Sequence, residues 1–206
     1  MKAYMSRHAV NPDRLLYFIR EKGLSDEIEQ VQVSIMEGEH KSSEYREKSP
    51  LAQVPTLELD DGTYLTESRA ISTYLEGVYP EPNLMGADPK ERAIIEMWDR
   101  RVELLYMLAV ANWFRHGHPA MAPLENPQCP DWAASNEVRA NKMAKYFDRR
   151  LGESHFIAGD RFTIADITFF ASLGFGRVVR FEPWKELENL ARYRRELKDR
   201  PCFAKG

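Results

Sequence analysis

The chain changes character once, and that change limits its fold more than any other feature. Up to Val78, short stretches of period two alternate with short stretches of helical period. Val31, Val33 and Ile35 alternate as a strand's inner residues do, whereas Leu15, Phe18 and Ile19 share one helical face. Pro80, Pro82 and Gly86 then punctuate the chain. From Asp88 onward the apolar residues keep a helical period, with no convincing strand. The expected fold class is α+β with two domains. Residues 1–79 form a βαβαββα unit, 80–87 a linker, and 88–206 an all-helical bundle.

Local signals place the elements. Residues 2–5 read as a strand, and Asn11-Pro12 opens a helix that stops at Gly23, with Asn11 as a cap. A strand is expected over 30–35, a short polar helix over 42–48, and a hairpin of 55–59 and 63–65 around Asp61-Gly62. A helix over 67–78 carries Ile71, Tyr74, Leu75 and Val78. In the second part, Asp88 caps a long helix with Pro89 at its first position, and its period runs through Leu108. Proline-rich 117–131 is irregular, and a helix follows over 132–151, ended by Gly152. Thr163-Ile164-Ala165-Asp166 is a capping-box variant, with Phe162 and Ile167 placed as a hydrophobic staple. Phe169, Phe170, Leu173 and Phe175 make the next helix the buried centre, and the last helix spans 187–199.

Composition excludes several functions. A chain of 206 residues, 43% hydrophobic, can bury a sizeable core. A net charge of −3 gives no electrostatic footprint for nucleic acid. No run approaches the about 18 apolar residues of a membrane span, and Met1–His8 lacks an apolar signal core, which points to the cytoplasm. Cys129 and Cys202 form no Cys-x-x-Cys pair, so a dithiol redox centre is not expected. His116 and His118 would share a face only in an extended segment, so no metal site is expected.

One stretch carries chemistry. In Ser49-Pro50-Leu51-Ala52-Gln53-Val54-Pro55-Thr56-Leu57, Pro55 opens a strand where its missing N–H is harmless. A cis bond before it would turn the backbone N–H and C=O of Val54 outward, ready to pair with another peptide backbone. After the hairpin, Glu67 and Ser68 start a helix, whose unpaired amides favour a carboxylate. A small acidic peptide fits both features. The plainer alternative is a proline that only starts a strand and a serine that only caps a helix.

Taken together, these segments resemble the cytosolic glutathione transferases, and the likeness covers nearly the whole chain. Gln53-Val54-Pro55-Thr56-Leu57 resembles that family's cis-proline segment, and Leu65-Thr66-Glu67-Ser68-Arg69-Ala70-Ile71 its glutathione-carboxylate segment. Phe156 to Ile167 resembles its helical-domain capping box. Gly38-Glu39-His40-Lys41 and Met97-Trp98-Asp99-Arg100-Arg101 are similar to bacterial members near the theta, eta and Nu classes. The resemblance implies a thioredoxin-like first domain, a homodimer, glutathione as co-substrate and no metal. It assigns the cysteinyl backbone to Val54, the γ-glutamyl end to Glu67 and Ser68, and the glycyl carboxylate to His40 or Lys41, with Gln53 nearby. Where many bacterial members carry Ser-Pro-Asn or Thr-Pro-Asn, this chain has Ala9-Val10-Asn11. The hydroxyl is gone and the Asn remains, as in Nu-class members, so Asn11 is the expected partner of the glutathione sulfur. Ser6, or a backbone amide in 8–12, is the alternative, and Tyr4 lies inside a strand.

The activity this implies is attack of a glutathione thiolate on a hydrophobic electrophile. The electrophile's expected pocket is near Met107, Ala111, Trp113, Phe114 and Arg115, with Phe175-Gly176-Arg177 facing it. Glutathione-dependent disulfide or peroxide reduction is a second reading, and a non-catalytic glutathione-binding protein a third.

Overall fold

The computed structural model describes residues 1–7 and 9–203. They form two compact units, Met1–Leu84 together with the chain's end from Pro201, and Met85–Arg200.

The first unit is thioredoxin-like. Its four strands, β1 (Lys2–Met5), β2 (Glu29–Gln32), β3 (Thr56–Glu58) and β4 (Tyr64–Thr66), lie in the order β2-β1-β3-β4. β1 pairs parallel with β2 and antiparallel with β3, and β3 pairs antiparallel with β4. Helices α1 (Val10–Glu21), α2 (Ser43–Lys48) and α3 (Ser68–Val78) complete the unit. Ala3, Leu15, Phe18, Ile19, Leu57, Ile71 and Leu75 are wholly buried between sheet and helices. Each large apolar side chain so buried contributes about 1.5–3 kcal/mol, which is why this pattern dominates the local signals. Pro201–Phe203 packs on α1, with the Phe203 ring edge-on to Tyr17 at 4.9 Å.

Three local readings differ from what the chain does. Ala9, not Asn11, is the N-cap of α1; Asn11 is the second helical residue. The strand expected over 30–35 spans 29–32, although Val33 still donates its N–H to the Met5 carbonyl at 2.7 Å. In the hairpin, β3 is shorter than expected, with Pro55 just before it, and β4 keeps its expected length one residue further on. Ser42 caps α2 by accepting the Tyr45 N–H at 3.1 Å. Gly23 ends α1 with φ +69°, the left-handed conformation that favours glycine.

The second unit is helical, with no strand among the described residues. It contains α4 (Pro89–Arg101), a π-helical turn over Val102–Met107, α5 (Leu108–Gly117), α6 (Pro130–Glu153), α7 (Ile164–Phe175) and α8 (Glu188–Lys198). Asp88 caps α4 through the Lys90 and Glu91 N–H groups at 2.8 and 3.0 Å. Gly152 sits inside the last turn of α6 and does not end it. The expected capping box is present, and Phe169 and Leu173 of α7 are wholly buried. The Tyr106, Phe147, Phe169 and Tyr193 rings form the aromatic centre, each no more than 6.2 Å from the next. Trp98 is only 9% exposed. Its ring lies against the guanidinium groups of Arg101 and Arg150, at 4.7 and 4.6 Å. Among the described residues no helix is long and apolar enough to cross a membrane.

Candidate active site

Strand register brings the expected glutathione residues to one end of the sheet. Tyr4 stands opposite Thr56, so the chain leaving β1 toward Asn11 runs beside the chain that enters β3 through Val54 and Pro55. Thr56 also stands opposite Thr66, so β4 delivers Glu67 and Ser68 to the same end. Met5 pairs with Gln32 in parallel, and the loop carrying His40 leaves the sheet from this end too.

The Val54–Pro55 peptide bond is cis. The segment before it is held rigidly. Tyr45 Oη, Ser49 Oγ and Thr56 Oγ1 all donate to the Gln53 carbonyl, at 2.9, 3.0 and 3.4 Å. Ser49 Oγ in turn accepts the Gln53 N–H at 3.1 Å. These three buried hydroxyls were not singled out from the sequence; each looks like an ordinary helix or strand residue. They leave the Val54 N–H and C=O without partners among the described residues, as an added peptide backbone requires. The Gln53 side chain itself is exposed.

Glu67 is the N-cap of α3 and has φ +65°, ψ +110°. A non-glycine residue there costs about 1–3 kcal/mol and persists only when its surroundings impose it. Its exposed carboxylate takes no partner among the described residues. Ser68 is 6% exposed, and its carbonyl, not its hydroxyl, is the group that accepts from Ser72 Oγ, at 2.9 Å. Among the described residues Ser68 Oγ thus has no hydrogen-bond partner, and it stands at a helix start.

His40 is 8% exposed, and its Nδ1 is buried without a hydrogen bond among the described residues. Burial holds its imidazole below the ordinary value, with the Lys41 and Arg46 cations adding to the effect. The ring is therefore neutral near pH 7, and Lys41 is the cation of that loop.

Asn11 is half-buried in the first turn of α1, and its Oδ1 accepts from Arg14 Nη1 at 3.1 Å. Ala9 supplies no side-chain acceptor and Pro12 has no N–H, so the backbone N–H groups of Val10 and Asn11 are the first-turn donors on offer. Of the alternatives, Ser6 is 8% exposed. Tyr4 donates its hydroxyl to Glu58 Oε2 at 2.5 Å, and burial followed by this bond pushes its pKa well up. Glu58 pairs with Lys2, toward the opposite end of the sheet. Of the 8–12 amides, His8 lies outside the described residues.

The expected electrophile residues lie in the helical unit. Met107, in the π-helical turn, is 4% exposed. Trp113 and Phe114 are half-buried on α5, packed on Phe181 at 5.6 Å and Phe175 at 5.8 Å. Among the described residues no cluster of three or more His, Cys, Asp or Glu could hold a metal ion.

Comparison with known proteins agrees with this architecture. The profile of the glutathione S-transferase N-terminal domain matches residues 11–78, and that of the C-terminal domain matches residues 116–201. Glutathione S-transferase 2 of Saccharomyces cerevisiae is 34% identical over 195 residues, covering 94% of this chain and 84% of that protein. The crystal structure of Gtt2 from the same yeast superposes with a TM-score of 0.93 at 32% identity, over 98% of each chain. A glutathione S-transferase domain-containing protein of Marinobacter aquaeolei VT8 superposes with a TM-score of 0.92 at 40% identity, over 99% of this chain and 100% of its own. The chain belongs to the glutathione S-transferase family and is a glutathione transferase.

Proposed function

We propose that the end of the sheet built from Asn11, Val54, Glu67 and Ser68 binds glutathione and ionises its thiol for attack on a hydrophobic electrophile. The observation that carries this reading is the register. It supports the reading because the chain entering β3 through Val54, the helix start at Ser68 and the chain leaving β1 toward Asn11 share one end of the sheet. Val54 pairs with the cysteinyl backbone. Ser68 and the first amides of α3 take the γ-glutamyl carboxylate, and Glu67 takes its ammonium. Lys41, or His40 with a proton on its Nδ1, meets the glycyl carboxylate, and Gln53 adds a hydrogen bond. A free thiol has a pKa of about 8.5, so only a few per cent is thiolate near neutral pH. Asn11 Nδ2 and the start of α1 stabilise the anion, and the proton leaves to water because a carboxamide cannot take it. A Nu-like chemistry follows from the loop Ala9-Val10-Asn11, and Met107, Trp113 and Phe114 are the apolar residues offered to the electrophile.

Removing a ligand-facing group whose partner stays bound costs about 1–3 kcal/mol. Ser68→Ala is therefore expected to weaken glutathione binding roughly tenfold by calorimetry, and Glu67→Ala comparably. Unchanged affinity in both variants would overturn the assignment. The same thiolate can attack sulfur or oxygen, so turnover of an aryl halide, a hydroperoxide and a mixed disulfide measures which reaction the chain favours.

A homodimer belongs to this reading. Ile94, Met97, Leu104, Leu105 and Leu108 follow one another along α4, the π-helical turn and α5, yet each is 36–48% exposed. Apolar residues concentrated in this way call for a cover. Trp98 is not part of that surface, being occupied within its own unit. Light scattering is expected to give the dimer mass, and Leu104→Glu to shift it toward the monomer. A concentration-independent monomer mass for the wild type would sink the idea.

A further inference from the structure

We infer that Arg14 is a positioning residue for thiolate formation: it fixes which end of the Asn11 carboxamide faces the glutathione sulfur. The inference rests on the proposed role of Asn11. A carboxamide is nearly symmetric in shape but opposite in chemistry at its two ends, and only the Nδ2 end can donate to an anion. Left to itself, the group can turn its oxygen toward the site, where it would repel a thiolate. Arg14 removes that freedom. Its guanidinium has donors only, so the Asn11 atom it meets at 3.1 Å must be Oδ1. Nδ2 is then turned away from Arg14.

The geometry of the helix supports this role. Asn11 and Arg14 are three residues apart in α1 and so lie on one face, side by side. Arg14 is 5% exposed, so its guanidinium is held in place, and burial strengthens a charge-assisted hydrogen bond. The cation also contributes directly. Polarised by the guanidinium at its oxygen end, the carboxamide becomes a better donor at its nitrogen end. Arg14 thus acts on the sulfur through Asn11 and does not touch it.

The test is a double-variant cycle read by the ultraviolet thiolate absorbance of bound glutathione as a function of pH, with glutathione affinity from calorimetry. Asn11→Ala is expected to raise the pKa of the bound thiol by about one unit, tenfold in thiolate fraction near neutral pH. Arg14→Met should reproduce most of that rise with affinity changed less than about threefold. In the Asn11→Ala background it should add nothing, because the group it orients is gone. Arg14→Gln, which can offer Asn11 an acceptor as readily as a donor, is expected to raise the thiol pKa as Arg14→Met does and serves if Arg14→Met does not fold. If Asn11→Ala shifts the thiol pKa but the Arg14 variants do not, or shift it equally in both backgrounds, the inference on Arg14 fails while the role of Asn11 stands. If Asn11→Ala leaves the thiol pKa unchanged, the reading of Asn11 fails and this inference falls with it.

Discussion

Asp166→Ala is expected to cost about 4 kcal/mol of stability, the largest loss from any single side chain in the helical unit. Asp166 is wholly buried at the start of α7 and accepts four hydrogen bonds. Its Oδ1 takes the Ile157 N–H and the Tyr193 hydroxyl, both at 2.9 Å. Its Oδ2 takes the Thr163 N–H at 2.9 Å and the Thr163 hydroxyl at 3.1 Å. Burial pushes the carboxyl up to about 6, and these four donors pull against that shift. At pH 7 the group is mainly a carboxylate. One residue thus ties the loop at Ile157, the cap of α7 and the ring of Tyr193 on α8. Truncation to alanine removes the acceptor and leaves four buried donors, each of which is expensive to strand. The sum falls short of four full hydrogen bonds, because burying the carboxylate has its own cost. For a chain of this size, about 4 kcal/mol lowers Tm by roughly 8–16 °C. Asp166→Asn should fall between wild type and alanine, since its Nδ2 would confront donors on one side. Urea unfolding measures both. A loss below about 1 kcal/mol for alanine would show that the loop and α7 hold without the carboxylate.

The features that were legible in the sequence are those whose signals are local. The capping box at Thr163 to Asp166 lies within four residues, and so does the Asp88-Pro89 start of α4. The pairing of Val54 with Glu67 and Ser68 was legible for a related reason. A tight turn at Asp61-Gly62 sets the hairpin register, and that register decides which residues emerge together. Where the reading slipped, a tertiary influence overrode a local one. Asn11-Pro12 looked like a cap and a first position, but proline is tolerated anywhere in a first turn, where its missing N–H would be unpaired anyway. The helix therefore starts at Val10, which places Asn11 one step inside and within reach of Arg14. Gly152 looked like a terminator, yet its cost inside a helix is only about 1 kcal/mol, which a long packed helix absorbs. The π-helical turn left no mark, because Val102, Tyr106 and Met107 still point inward at spacings an α-helix would use. The hydroxyl clamp on Gln53 was invisible for a different reason: the roles of Tyr45, Ser49 and Thr56 exist only once the loop has closed.

Lys22→Met should cost about 3–5 kcal/mol, the largest loss expected in the first unit. The Lys22 side chain is 0% exposed. Its Nζ donates to the carbonyls of Tyr79, Pro80 and Pro82, at 2.7, 3.2 and 2.7 Å, and stands 2.6 Å from Glu76 Oε2. The other carboxylate oxygen of Glu76 accepts the Leu84 N–H at 2.9 Å. A single cation at the end of α1 therefore gathers the end of α3 and the chain that leaves it. Methionine fills the same space but supplies no donor, so three carbonyls and a carboxylate are left behind without it. The consequence reaches the proposed glutathione site, because α1 and α3 are the helices whose starts carry Asn11 and Ser68. The two helices tied at their far ends by Lys22 are the two that a bound tripeptide would bridge at their near ends. Glutathione at 100 times its Kd should accordingly return about 2.7 kcal/mol to the variant, as to wild type, if it binds only the folded unit. Adding Glu76→Gln to Lys22→Met removes the stranded charge and should recover part of the loss. Urea unfolding with and without glutathione reads all three. A Lys22→Met variant as stable as wild type would mean that water replaces the ammonium at no cost, and that the two helices are held by the apolar core of Phe18, Ile19, Ile71 and Leu75 alone.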